Sequence, residues 1–183
     1  MHYSSTFEGG LVDLSILMIV RALHILLAAL WLGTAVLLTV FLIPALRHVG
    51  MPGAPLIGRM AQRRLGHYIT VLATLTVLTG LWLFWRVTNG MQADVMLSPP
   101  IMVLGIGVLS GLLAAGLGIG ILGPSMKAMG MAMGAVSRLS DGEEREGHMQ
   151  RIEALHGRFA LFSRIMVTLM VVALLCMTLS HVL

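Results

Sequence analysis

Charge is scarce in this sequence. Asp, Glu, Lys and Arg make up 11% of its 183 residues while 57% are hydrophobic, and a soluble domain carries about a quarter charged residues, so a water-soluble globule is excluded. Cysteine is nearly absent. The single Cys176 lies inside an apolar run, which excludes a disulfide framework, a CxxC redox pair and covalent c-type haem attachment. No carboxylate falls within a long apolar stretch, because Glu8, Asp13, Asp94 and the acids between 141 and 153 all lie outside them; the buried acids of a proton pump are missing. There is no HExxH and no serine-nucleophile motif, and no strand precedes the glycine-rich stretch, so a dinucleotide fingerprint is excluded as well. The net charge of +4 does not mark nucleic-acid binding. The basic residues sit in short loops beside the apolar runs, where they act as topology signals.

What is present is four apolar runs of about 20 residues, each long enough to cross a ~30 Å hydrocarbon core at ~1.5 Å per residue. They predict an all-α, integral membrane four-helix bundle. The chain reads as a single transmembrane domain with spans over residues 21–46, 67–85, 101–122 and 159–182 and a cytoplasmic arm over 125–157. Apolar character begins earlier than Arg21, at Leu14, so the first helix should tilt or project beyond the bilayer. Pro44 should bend or fray its last turn. Pro99-Pro100 should open the third helix, and Ser140-Asp141-Gly142 followed by acidic residues marks a helix start in the arm. The polar stretch from Met1 to Asp13 lacks a basic n-region, so the first span is expected to be retained rather than cleaved.

Orientation follows from the basic residues. Arg47, Arg59, Arg63 and Arg64 follow span one, and Lys127, Arg138, Arg145, Arg151 and Arg158 follow span three. The positive-inside rule assigns that side to the cytoplasm and both termini to the outside. Arg21 and Arg86 then sit near the outer surface, with Trp82 and Trp85 as an interfacial belt.

Histidines in or beside spans are the main chemical signal, since a polar ring in lipid needs a partner. His24 lies 23 residues from Arg47, and His181 lies 23 from Arg158, which places both near the outer surface at similar depth. His67, beside Arg64, and His156, beside Arg158, fall near the inner surface. Two imidazole pairs, one per leaflet, would suit one or two bis-histidine haems b between facing helices. The plainer reading is that these rings bond to water or headgroups. His2, His48 and His148 lie in loops or tails. His24 stands out because Trp31, seven residues on, shares its helix face and Gly33 is close by.

Span three carries Gly107 and Gly111, and again Gly116 and Gly120, at GxxxG spacing, which admits a neighbouring helix or a flat macrocycle. Met126, Met129, Met131 and Met133 raise Cu(I) binding, with a flexible apolar surface as the plainer alternative. Arg164 is a charge near the inner end of span four; it could snorkel to lipid phosphate or pair with a haem propionate, as could Arg63 and Arg64.

Three segments resemble the small four-helix membrane proteins that include HemJ-type protoporphyrinogen oxidases and CopD-like copper-resistance proteins: RALHILLAALWLG from Arg21 to Gly33, RRLGHYITVLATLTVLTGLWLF from Arg63 to Phe84, and HGRFALFSRIMVTLMVVALL from His156 to Leu175. Together they cover under half the chain. The resemblance implies haem b in the bundle with His24 as an axial ligand. It departs at span three, where HemJ-like proteins begin with a lysine and this chain has Ile101 and Met102. The resulting expectation is a bacterial inner-membrane, haem b-binding electron-transfer protein, an oxidoreductase or its cytochrome subunit. Its partners would be lipid, a quinone or cytochrome, and a larger membrane complex or a second copy of itself. A cofactor-free scaffold, copper transport and protoporphyrinogen oxidation are the alternatives.

Overall fold

The computed structural model of the chain describes residues 3–42, 44–45, 65–136 and 142–182. All regular structure within them is helical. The first helix, α1 (Tyr3–Val36), starts well before Arg21, because Leu14 to Val20 continues the apolar run with no residue that breaks a helix. It widens into a π-helical segment, π1 (Leu37–Leu42), just ahead of Pro44. Proline has no amide to offer the preceding turn and crowds its carbonyl, and a π-turn is a common way to absorb such a defect. The expected bend near Pro44 thus takes the form of a wider turn.

The second span is α2 (Leu65–Val87). It ends in a Schellman cap: the amide of Gly90 donates to the Trp85 carbonyl at 2.9 Å and that of Asn89 to Arg86 at 3.3 Å. Asn89, with φ 49°, takes the left-handed position for which asparagine is the usual substitute for glycine. After the single turn α3 (Ala93–Met96), α4 (Pro99–Leu117) opens on its two prolines as the sequence predicts. It passes through π2 (Gly118–Leu122) into α5 (Gly123–Val136). Helix α6 (Glu143–Leu179) begins directly after Gly142 and runs unbroken through the fourth span. The expected arm is therefore an extension of spans three and four. Span four stops at Leu179 rather than Val182, since the last amides turn to carbonyls three residues back, His181 to Thr178 and Val182 to Leu179.

Four segments have the length and apolarity to cross a membrane: Asp13–Leu42, Leu65–Val87, Pro99–Ala128 and His156–Leu179. Only 17% to 28% of the most apolar window of each is buried inside the chain, so the large apolar remainder needs lipid or other subunits around it. This is a multi-pass membrane protein. Arg86 pairs with Asp13 at 2.6 Å, and Arg21 Nη2 donates to His181 Nε2 at 2.6 Å. Those contacts gather residues 13, 21, 86 and 181 at one end of the bundle.

The four spans do not pack evenly. Helix α1 lies chiefly on α2, and α4 on α6, with much slighter contact between the two pairs. The inward stripe of α1 is His24, Leu27, Trp31 and Ala35, the spacing of one helix face. That of α6 is Phe159, Ser163, Met166, Met170 and Ala173, alternating steps of four and three as in a coiled-coil seam. Within the second pair, a Cβ on Gly107 would stand 3.0 Å from Cys176 Cβ and 3.2 Å from the Ala173 carbonyl oxygen. Gly107 therefore serves close helix approach, as its GxxxG spacing suggested.

Candidate functional site

His24 is 8% exposed and is the first residue of the inward stripe of α1. A buried imidazole needs hydrogen bonds, and α2 supplies them. The Thr76 carbonyl and Thr79 Oγ1 both lie 3.0 Å from His24 Nδ1. The Thr76 carbonyl can only accept, and Thr79 spends its own proton on the Leu75 carbonyl at 2.7 Å, so Nδ1 carries the hydrogen. Nε2 makes no hydrogen bond among the described residues. The ring can sit this close to α2 because residue 80 is glycine: a Cβ there would stand 2.8 Å from His24 Cε1.

The ring borders a cavity of about 50 Å³ between the two helix pairs. Trp31 comes to it from α1, Thr76, Val77, Gly80 and Leu81 from α2, Gly107 and Gly111 from α4, and Met177 from α6. A Cβ on Gly111 would meet nothing within 4 Å; the glycine leaves that wall flat. Among the described residues, His24 is the sole ionisable one lining the space. A histidine with Nδ1 tied to a backbone carbonyl presents Nε2 as the lone-pair nitrogen, in the tautomer metal-ligating histidines commonly use.

The remaining predicted site residues are distributed differently. Trp31 shares the cavity with His24. His181 is exposed in the terminal turn, engaged by Arg21, and does not line the cavity. It does lie at a depth close to that of His24, since its partner Arg21 is three residues from His24. His67 is exposed on α2 and His156 half-buried on α6. These two helices are not among the pairs in substantial contact, so the inner pair is not brought face to face. Arg164 is exposed on α6, away from the cavity. Arg63 and Arg64 lie outside the described residues, as do His2 and His48. Among the methionines after span three, Met126 packs against the core while Met131 is exposed, so those two diverge. No group of three or more His, Cys, Asp or Glu suited to a metal occurs among the described residues.

Sequence reasoning missed Thr76, Thr79 and Gly80, the seat of His24, and Met177. Part of the signal for the seat was present in the adjacent hydroxyl and glycine of Thr79 and Gly80, whereas Thr76 contributes a backbone carbonyl that any residue there would offer. No family model, curated protein or solved structure matches this chain.

Proposed function

We propose that the protein is a haem b-binding electron-transfer protein of a bacterial inner membrane, with both termini outside, acting alone or as a subunit of a larger redox complex. The observation that carries this reading is His24: buried, its Nδ1–H held by α2, its Nε2 without a hydrogen bond among the described residues and its ring bordering the cavity. The donor chemistry suits one axial ligand to haem iron. Gly80, Gly107 and Gly111 supply walls without side chains. The cavity as packed has room for a few waters, and it lies along the slighter contact between the two helix pairs. A macrocycle would be admitted by widening that seam, with no helix broken. When bound, haem would supply one-electron chemistry. The chain would hold it through His24, keep its surroundings dry through Trp31 and Leu81, and leave the quinone or cytochrome partner to the rim.

The test is an absorption spectrum of the detergent-purified protein, oxidised and dithionite-reduced, with pyridine haemochrome quantitation per chain. A Soret band with a sharp reduced α band, lost in His24→Ala, is the expected result. A colourless protein from haem-replete cells rejects the reading and returns the scaffold and copper alternatives.

A further inference from the structure

The arginines at the two ends of the bundle keep different company. At the rim, Arg21 donates to His181 and Arg86 pairs with Asp13, each at 2.6 Å. At the opposite end, Arg158 and Arg164 on α6 are exposed, and neither side chain makes a hydrogen bond or ion pair among the described residues. No carboxylate is close by in the sequence either: residues 99–136 and 154–183, which hold spans three and four, contain no Asp or Glu, and Glu153 stands eleven residues, about 16 Å, back along α6 from Arg164. Arg164 lies eight residues, about 12 Å, inside the span that begins at His156. Beside it Leu161 and Ile165 are 58% and 40% exposed, as lipid-facing residues are. A guanidinium set in such a surface needs an anion. The Cα–Cβ bond of a helical residue tilts toward the helix N-terminus, which for α6 is the end where Arg158 stands, and snorkelling along that tilt brings the Arg164 guanidinium about one turn closer to it. Arg158 is six residues away and about 120° round the helix, with Leu161 between the two.

We infer that this face of α6 binds an anionic phospholipid, whose phosphate accepts hydrogen bonds from Arg158 and Arg164 while an acyl chain lies along Leu161 and Ile165. The inference is independent of what the His24 cavity holds, since neither arginine lines that cavity. The setting selects the class of ligand. Arg164 is inside an apolar span and flanked by exposed aliphatic side chains, so the anion must arrive with an apolar tail, which a phospholipid has and an acidic peptide lacks. Guanidinium forks match phosphate oxygens, and basic groups beside a span attract anionic lipid. Two guanidinium groups on one phosphate leave a net positive charge. A headgroup that carries its own ammonium is therefore repelled, and one that adds only hydroxyls or a second phosphate is accepted.

The experiment titrates the detergent-purified chain with phosphatidylglycerol and, separately, with phosphatidylcholine, and counts retained lipid by native mass spectrometry. Wild type is expected to retain phosphatidylglycerol in preference to phosphatidylcholine. The double variant Arg158→Gln/Arg164→Gln should lose that preference, and Arg158→Lys/Arg164→Lys, which keeps both charges, should retain it. Arg86→Gln should leave it unchanged, because Arg86 is already paired with Asp13. A thermal melt supplies a second reading: phosphatidylglycerol should raise the melting temperature of wild type and not that of the glutamine pair, while the two melt alike without lipid because both side chains are exposed. Equal retention of the two lipids by wild type overturns the inference. So does an undiminished preference in the glutamine pair, or a loss as large in Arg86→Gln, which would mark a general effect of net charge.

Discussion

The Nδ1 proton of His24 is shared between two acceptors on α2, and the ring is held there by the missing side chain of Gly80. Gly80→Ala would place a methyl 2.8 Å from Cε1 and drive the ring off the Thr76 carbonyl. The expected cost is about 1–3 kcal/mol of stability, the range for overpacking a filled site. A detergent thermal melt reads this, and the haem content of the same preparation should fall. An unchanged melt with full haem content would mean that the seat does not hold the ring. Half of this site was legible in advance. His24 and Trp31 share a face by spacing within one helix, which the sequence displays directly. Gly80 and Met177 acquire meaning only when particular faces of α2 and α6 meet α1 across the bundle, and that pairing is a tertiary fact.

Among elements, α4 offers the sharpest contrast, because two glycines one turn apart do different things. Gly107 is in contact with α6, whereas a Cβ at Gly111 would enter open space. Gly107→Ala should push α4 off α6 and lower the melting temperature. Gly111→Ala should hold it or raise it, since alanine is worth up to about 1 kcal/mol more than glycine in a helix, yet should lower haem occupancy by filling the cavity. Equal melts for the two variants would contradict the separate roles. The existence of the four long helices was plain from apolar runs and length. Their ends were less so: span one is helical from Tyr3, and the arm is continuous with its neighbours, because hydropathy changes where lipid ends and a helix need not. The two π segments, Leu37–Leu42 and Gly118–Leu122, leave no mark in hydropathy at all. They arise from local hydrogen-bond shifts, for which the hints are the prolines two residues past each segment, Pro44 and Pro124.

For the whole molecule, the arrangement puts residues 13, 86 and 181 at one end, and the distribution of arginine proposes that this end faces outward. In a Cys176→Ala background, a cysteine at Asn89 should react with a membrane-impermeant maleimide in intact cells, and one at Gly142 should react only after lysis. The reverse pattern would invert the topology. Contacts between the pairs also have a direction of their own. The connection from Thr88 to Ser98 and the Arg21–His181 bond both join the two halves at the same rim. The bundle is in this sense a clothes-peg joined at one end, with each jaw a pair of packed helices. Parting the jaws would break no backbone hydrogen bond, and at the end where Leu42 and Ala128 lie it would have to loosen the packing of π1 against α6. A flat guest should therefore widen the far end more than the rim, a difference that spin-label distances across the two ends would register, and equal widening would refute the hinge.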